Sequence, residues 1–382
     1  MKVFVTGGAG YIGSVVTELL LDNGHDVTVF DSLETGHRAA VDRRAELVCG
    51  DTGDAAILRD VMLAAAPDVV VHMAAYIQMG ESMHDPGKYF RNNAANTLHV
   101  LDAMVAAKAS HIVFSSTAGV YGTPESLPIE EDHPIDPLNP YSESKRQVES
   151  IIQWYAQAYG ITGTVFRFFN AAGATARCGE DHRPESHLIP IVLQVAQGAR
   201  AHLDLFGTDY ATHDGTASRD YIHVRDLAQA HLLAIEKMDS VPRHEASLRG
   251  NVRDGTENDK EKLGVDGQEI GNEIGTTKID GEGGRNGGVG VTVYNIGSEQ
   301  GATNLEVIET ARRITGRPIP VRECPRRAGD AAASLASAAK IRRELGWEPI
   351  YSDLETIISS AWDWLQRHPR GYGSAPSTLE EG

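Results

Sequence analysis

The sequence predicts an α/β chain built on a doubly wound, mostly parallel sheet. Three observations carry this. A short apolar strand, Val3-Phe4-Val5, runs into a glycine-rich turn, Thr6-Gly7-Gly8-Ala9-Gly10-Tyr11-Ile12-Gly13, and then into helical periodicity at Val15, Val16, Leu19 and Leu20. A second strand, Val27-Thr28-Val29-Phe30, ends at Asp31, 18 residues after Gly13. Further apolar strands then alternate with helical stretches, a rhythm that argues parallel pairing through crossovers. The glycines fit both G-x-G-x-x-G (Gly8, Gly10, Gly13) and G-x-x-G-x-x-G (Gly7, Gly10, Gly13). Small residues let the backbone approach a pyrophosphate, and the start of a helix favours its negative charge. Asp31 stands where a carboxylate takes the adenosine ribose hydroxyls and disfavours a 2′-phosphate. The pattern is therefore Rossmann-type, and the expected cofactor is NAD.

The bulk properties narrow the class. With 382 residues and 41% apolar content, the chain can bury one large α/β core or two smaller ones. A net charge of -18 argues against nucleic acid or an anionic membrane as partner. Three cysteines, Cys49, Cys178 and Cys324, are far apart, so neither a disulfide framework nor a metal site is expected. A reducing, cytoplasmic setting fits best. The N-terminus enters a strand directly, leaving no room for a signal peptide, and no apolar run is long enough to span a bilayer.

Along the chain, Leu47-Val48-Cys49-Gly50-Asp51 reads as a third strand, with Asp51 facing the adenine side of a dinucleotide. Residues 68–75 read as a fourth, and its end, Met73-Ala74-Ala75, is small enough for a cofactor to lie across the strand tip. Asn92-Asn93 opens a helix running through Val100, Leu101 and Met104. His111-Ile112-Val113-Phe114 is a strand that delivers the hydroxyls of Ser115, Ser116 and Thr117. Pro140 suits a helix first turn, and Tyr141 and Lys145 follow it four residues apart, on one helix face. Such a pair also occurs by chance. In a dry site an adjacent ammonium is expected to lower the phenol pKa and make Tyr141 a usable base. Residues 164–170 form another strand, ending at Phe169 and Asn170.

This combination resembles the extended short-chain dehydrogenase/reductase superfamily and, within it, the UDP-glucose 4-epimerases. The motifs are Thr6 to Gly13, Gly50-Asp51, Gly80-Glu81-Ser82, Asn92-Asn93, Ser115-Ser116-Thr117, the Tyr141/Lys145 pair, and Arg167 to Asn170. The more specific ones come later: Phe206-Gly207-Thr208-Asp209-Tyr210, the run from Asp214 to Val224, and Arg326-Arg327-Ala328-Gly329-Asp330. The resemblance covers nearly the whole chain apart from a segment near 240–290. It implies that Tyr141 takes the proton of a sugar 4-hydroxyl while hydride passes from C4 to NAD. It implies that Thr117 hydrogen-bonds the 4-oxygen and that Lys145 holds the nicotinamide ribose and keeps Tyr141 acidic. It assigns cofactor contacts to Gly7, Gly10, Tyr11, Ile12, Gly13, Asp31, Ser32, Asp51, Thr52, Met73, Ala74, Ala75, Asn92, Ser115, Tyr141, Lys145 and Phe169. Substrate contacts fall to Thr117, Tyr141, Asn170, His187, Leu188, Phe206, Arg219, Arg327, Asp330 and Ser334. The implied partner is a UDP-sugar, and the implied assembly is a homodimer joined through the helices near Asn92 and Tyr141.

Two positions depart from the family. Ile77 replaces a lysine that contacts the cofactor, and Phe168 replaces a tyrosine. Ser334 is small where a tyrosine would restrict the sugar pocket, so N-acetylated UDP-sugars are also expected. A 4,6-dehydratase would need an Asp-Glu pair directly after Thr117, where Ala118-Gly119 stands instead. UDP-pentose or UDP-glucuronate epimerisation, and a non-catalytic NAD-binding sensor, remain as alternatives. The expected organisation is a dinucleotide-binding domain over 1–175, rejoined by about 220–238 and 292–300. A smaller C-terminal α/β substrate-binding domain occupies most of 176–382. Between them, 239–290 has no aromatic residue and is dense in glycine and charge, and is expected to be a mobile insertion without a core. The tail from Gly371 is expected to be loose.

Overall fold

A computed structural model describes residues 1–239, 290–327 and 330–373. The expected insertion, apart from its ends, lies outside the described residues.

The first half alternates as the sequence predicts: β1 (Lys2–Thr6), α1 (Tyr11–Asp22), β2 (Asp26–Asp31), β3 (Glu46–Cys49), α2 (Ala55–Ala65), β4 (Val69–His72), α3 (Met79–His84), α4 (Pro86–Tyr89), α5 (Asn96–Ala107), β5 (His111–Thr117), α6 (Pro140–Tyr159), β6 (Thr162–Phe168) and β7 (Asn170–Ala172). The second half contributes α7 (Leu188–Gln197), β8 (Leu203–Phe206), β9 (Ser218–His223), α8 (Val224–Asp239), β10 (Val291–Ile296), β11 (Gly301–Thr303), α9 (Asn304–Thr315), β12 (Val321–Cys324), β13 (Ala333–Ser334), α10 (Ala339–Leu345), α11 (Leu354–Arg367) and β14 (Pro369–Tyr372).

Seven strands form one sheet in the order β10-β6-β5-β4-β1-β2-β3, and every pairing in it is parallel. Strands buried on both faces need apolar side chains throughout, and Val3, Phe4, Val5, Val69, Val70 and Val71 supply them. The order reverses between β1 and β4, and the carboxyl ends of these two strands border the crevice where ligands bind in such sheets. Although the chain returns to this sheet only at β10, Val291–Ile296 pairs in register with β6 from Val291↔Gly163 to Ile296↔Phe168. A smaller sheet is centred on β9, which pairs with β11, β13 and β7, while β8 pairs with β12. Its core is Ile189, Val192, Leu205, Ile308 and Ile357.

Three local differences from the sequence reading have physical causes. The fourth strand is only Val69–His72; the backbone leaves the ladder at Met73, whose amide donates to the Thr6 carbonyl at 3.0 Å. The helix expected from Asn92 begins instead as a π-helical turn, Phe90–Ala95, before α5. Such turns are uncommon and concentrate at functional sites. Gly371 and Tyr372 are docked rather than loose. The Tyr372 amide donates to Asp181 at 3.0 Å, and its ring stacks on His37 with centroids 5.0 Å apart. Residues beyond 373 lie outside the described residues.

Candidate active site

The glycine turn closes tightly between β1 and α1. Gly7 has φ +75°, and a Cβ on it would meet the Ala74 amide nitrogen at 2.6 Å, so glycine is required at this crossing beneath the β4 end. A Cβ on Gly13 would meet the Gly7 carbonyl oxygen at 2.2 Å. Gly10 is different: only the Gly7 oxygen comes near its virtual Cβ, at 3.3 Å, so its outer side is open for a ligand to approach the backbone. Asp31 caps this cradle. Its two carboxylate oxygens accept from the amides of Ala9 at 2.9 Å and Leu33 at 2.8 Å, each keeping a lone pair for a hydroxyl donor. Burial raises the Asp31 pKa, opposed by those two amide bonds. Ser32 accepts from the Glu34 amide, and Asp51 from the Gly53 amide at 2.6 Å, both at the surface end of the crevice. Thr52 is buried and its carbonyl is bonded to His99. Met73, Ala74 and Ala75 line the other wall, half-buried. This cradle fits a dinucleotide that carries free ribose hydroxyls.

Two of the residues expected at the cofactor hold the protein together here. The Tyr11 hydroxyl donates to the Gly173 carbonyl at 2.5 Å, tying the first turn of α1 to the chain after β7, while Ile12 beside it is half-buried. Phe169 packs with Val120, Tyr121, Ile129 and Ala336. Asn92 only donates to Asn93, and it is Asn93 that the sequence reading undervalued. Its amide bonds both backbone groups of Tyr76, at 2.9 and 3.0 Å, and the Ser144 hydroxyl at 3.1 Å. It thereby bolts the loop after β4 to α6, and the polar doublet Asn92-Asn93 was the available signal. Ile77, the departure from the family, is half-buried beside Tyr76. The Lys88 ammonium lies nearby, over the Tyr76 ring at 4.1 Å and on Glu81 at 2.8 Å.

Helix α6 presents the central pair. Asn139 caps its first turn by accepting from the Ser142 amide, Pro140 sits in that turn, and Gly160 in left-handed conformation ends it. Its buried stripe, Ser144, Lys145, Val148, Ile152 and Ala156, holds Lys145 against the sheet. The Lys145 ammonium donates to the Ser115 carbonyl at 2.9 Å and lies 5.0 Å from the centre of the Phe114 ring. Burial pulls its pKa down to about 7, against the raising effect of Glu149 one turn along. Tyr141 meets Thr117 at the end of β5, and its ring stands edge-on to Tyr89. Burial pushes the Tyr141 pKa up to about 12, while the hydrogen bond with Thr117 lowers it. The expectation that Lys145 lowers the phenol pKa is therefore corrected: desolvation wins, and the ammonium is engaged by the Ser115 carbonyl. The Ser115 hydroxyl is buried and finds no hydrogen-bond partner among the described residues.

Beneath the pair lies a network that sequence reasoning missed. Glu149 accepts from Ser116 at 2.5 Å and takes a two-pronged bond from Arg167 at 3.1 and 2.7 Å. Arg167 also donates to the Tyr121 hydroxyl at 2.8 Å, which donates to Asn295 at 2.7 Å. His72 bridges Thr6 at 2.7 Å and Thr97 at 2.9 Å, and burial holds its pKa down at about 3, so it stays neutral.

Around the smaller sheet and the separate β8–β12 pair, predicted residues from distant parts of the chain meet in pairs. Arg219 is hydrogen-bonded to Asp330, and Ser334 is its register partner across β9 and β13. The Arg327 guanidinium stacks over the Phe206 ring, 3.9 Å from its centre. The Asn170 amide donates to the Asp220 carbonyl at 3.0 Å, joining β7 to β9. His187 flanks the start of α7 just before half-buried Leu188, but its ring faces Glu180 and Glu185 at 2.7 and 2.9 Å. Burial opposes charging of His187, yet Glu180 outweighs it and lifts the pKa to about 10.

The profile of the NAD dependent epimerase/dehydratase family matches residues 3–247. The chain is 43% identical to the UDP-glucose 4-epimerase of Lacticaseibacillus casei, over 98% of this chain and 99% of the relative. It is also similar to a crystal structure of UDP-glucose 4-epimerase from Brucella ovis in complex with NAD, at 38% identity and TM-score 0.80, covering 94% of this chain and 97% of that one. A UDP-glucose 4-epimerase from Bifidobacterium longum, solved with NAD+ and UDP, gives 33% identity and TM-score 0.81 over 97% of this chain and all of that one. The glycine cradle, the Tyr141 helix and the full-length likeness agree: this chain belongs to the UDP-glucose 4-epimerases within the NAD-dependent epimerase/dehydratase family.

Proposed function

We propose that the chain interconverts UDP-glucose and UDP-galactose by NAD-dependent 4-epimerisation. The observation that carries this is the hydrogen bond of Tyr141 with Thr117 at the end of β5, one helical turn from a buried Lys145 that donates to the Ser115 carbonyl. Bound NAD supplies an acceptor, and then a donor, of hydride at C4. Tyr141 receives the proton of the 4-hydroxyl as the C4–H bond breaks, leaving a 4-keto sugar. Thr117 holds the 4-oxygen, and Tyr141 returns the proton once hydride has come back on the opposite face. The net change is inversion, with no net oxidation. Lys145 holds the nicotinamide ribose, and its charge, when present, favours the phenolate against the burial that resists it. In the same reading, Gly7, Gly10, Gly13, Asp31, Asp51, Asn92, Ser115 and Phe169 surround the cofactor, with Ser32, Thr52, Tyr11, Ile12 and residues 73–75.

The nucleotide end of the substrate falls to the smaller sheet, read as a substrate-binding domain after residue 175. Arg327 and Arg219 supply planar cations suited to a diphosphate, with Phe206 beside Arg327. Asp330 takes a ribose hydroxyl, and Asn170, His187 and Leu188 border the same ligand. Ser334, half-buried opposite Arg219, leaves room for a 2-acetamido group. A homodimer through α5 and α6 is supported by exposed apolar side chains on both helices: Leu98, Tyr159 and Trp154, the last 67% exposed. A cytoplasmic location accords with three cysteines that are all free thiols.

The test is direct. Purified protein supplied with NAD and UDP-glucose should form UDP-galactose, and UDP-N-acetylglucosamine should be turned over too. Absence of any UDP-galactose at long incubation sinks the main reading. Turnover of the glucose pair alone sinks only the Ser334 part.

A further inference from the structure

The segment between β7 and α7 gathers four metal-ligating side chains that the proposed reaction does not use as a group. Glu180, His182, Glu185 and His187 each offer one donor atom, and these atoms all lie within 4.8 Å of one another. The sequence E-D-H-x-x-E-S-H places them on a short run, but only its folded turn brings them together. His187 Nδ1 lies 2.7 Å from Glu180 Oε1 and 2.9 Å from Glu185 Oε1, and His182 Nδ1 lies 3.0 Å from Glu180 Oε1.

We propose that these four residues form a binding site for a borderline divalent cation such as Zn²⁺, Co²⁺ or Ni²⁺. Two imidazoles and two carboxylates are a donor set that such ions favour, whereas Mg²⁺ and Ca²⁺ prefer oxygen alone. A tetrahedral ion with bonds of about 2.0–2.1 Å sets its donors about 3.3 Å apart, so the three short contacts of 2.7–3.0 Å must open by a few tenths of an ångström while the wider pairs, up to 4.8 Å apart, must close on the ion.

The surroundings hold the donors as outer-shell groups hold ligands in built metal sites. Glu185 Oε1 accepts from the amides of Ser186 at 2.7 Å and His187 at 2.8 Å. The His182 ring stands edge-on to the Tyr11 ring, with centroids 6.3 Å apart. A cavity of about 380 Å³, lined by Glu180, His182 and Glu185 together with Trp364 and Arg370, gives the ion a route in. A bound ion would clamp the segment from Glu180 to His187 at the start of α7, beside the Tyr11 ring of α1. The proposal stands on the donor geometry and does not depend on the identity of the sugar.

The test uses the full-length protein, stripped with chelator and titrated with Co²⁺ at mildly alkaline pH. Uptake of one equivalent with the visible absorption of a tetrahedral ion is expected, displaced by Zn²⁺. His182→Gln and Glu185→Gln should each weaken binding at least tenfold. No stoichiometric uptake by the wild-type protein overturns the proposal, as does unchanged affinity in both variants. Should a variant fail to fold, Zn²⁺-soaked crystals of the wild-type protein decide. An anomalous peak among the four side chains supports the site, and a peak elsewhere or none contradicts it.

Discussion

At the end of β5, the charges that flank Tyr141 are buried and held by backbone or by each other: Lys145 is 4% exposed and bonded to a strand carbonyl, and Arg167 is locked to Glu149. On the smaller sheet the charges are more open. Arg327 is exposed and rests on Phe206, and the partners Arg219 and Asp330 keep 19% and 30% of their side-chain surface. Desolvation dominates the first region and shifts its pKa values, as the low value of Lys145 and the high value of Tyr141 indicate. In the second, solvent screens the pairs, so they contribute little to stability. On the proposed reading, proton transfer falls to the buried region and nucleotide recognition to the more open one.

This contrast can be broken from its strongest side first. Glu149→Ala leaves Arg167 buried without its carboxylate, and a loss of about 3–5 kcal/mol of stability is expected by denaturant unfolding. A loss below about 1 kcal/mol would mean that the network is as weakly held as a surface pair.

Lys145→Met probes desolvation itself. The unfolded chain keeps this proton up to an ordinary value of 10.5, while the folded chain releases it near 7. Between those values the unfolded state binds more protons, so stability climbs with pH by up to about 1.4 kcal/mol per unit and is lost again as pH falls toward 7. Methionine should flatten that slope, read by unfolding at closely spaced pH values across the window. It should also lower kcat by roughly 10²-fold or more. A slope that survives the substitution would place the shift elsewhere.

On the open side, Arg327→Ala should raise KM for the UDP-sugar roughly tenfold, with kcat nearly unchanged, because the contact is made equally in ground and transition states. Stability should move by less than about 1 kcal/mol. A fall in kcat with constant KM would show that Arg327 acts on the reacting centre.

The same contrast explains what was legible in the sequence. The glycine turn, Asp31 and the Tyr141/Lys145 spacing are local patterns whose chemistry follows from one strand, one loop and one helix. The alternation of strands and helices likewise reveals the parallel sheet. Phe206, Arg219 and the Arg327–Asp330 loop come from separate parts of the chain, and only resemblance to a family could collect them. Val291–Ile296 pairs with β6 in the large sheet across a long sequence separation that no local pattern marks. Nothing local marks Glu149 as the partner of Arg167, because the contact spans 18 residues and two elements. Nor can spacing decide whether an ammonium or desolvation controls a phenol. That balance depends on where the Lys145 head points, and it points to Ser115.

The central claim is that Tyr141 carries the proton of the sugar 4-hydroxyl, and steady-state epimerisation of UDP-glucose by Tyr141→Phe tests it most directly. With folding and NAD content matched to the wild-type protein, kcat should fall at least ~10²-fold. Conversion at the wild-type rate would contradict the account.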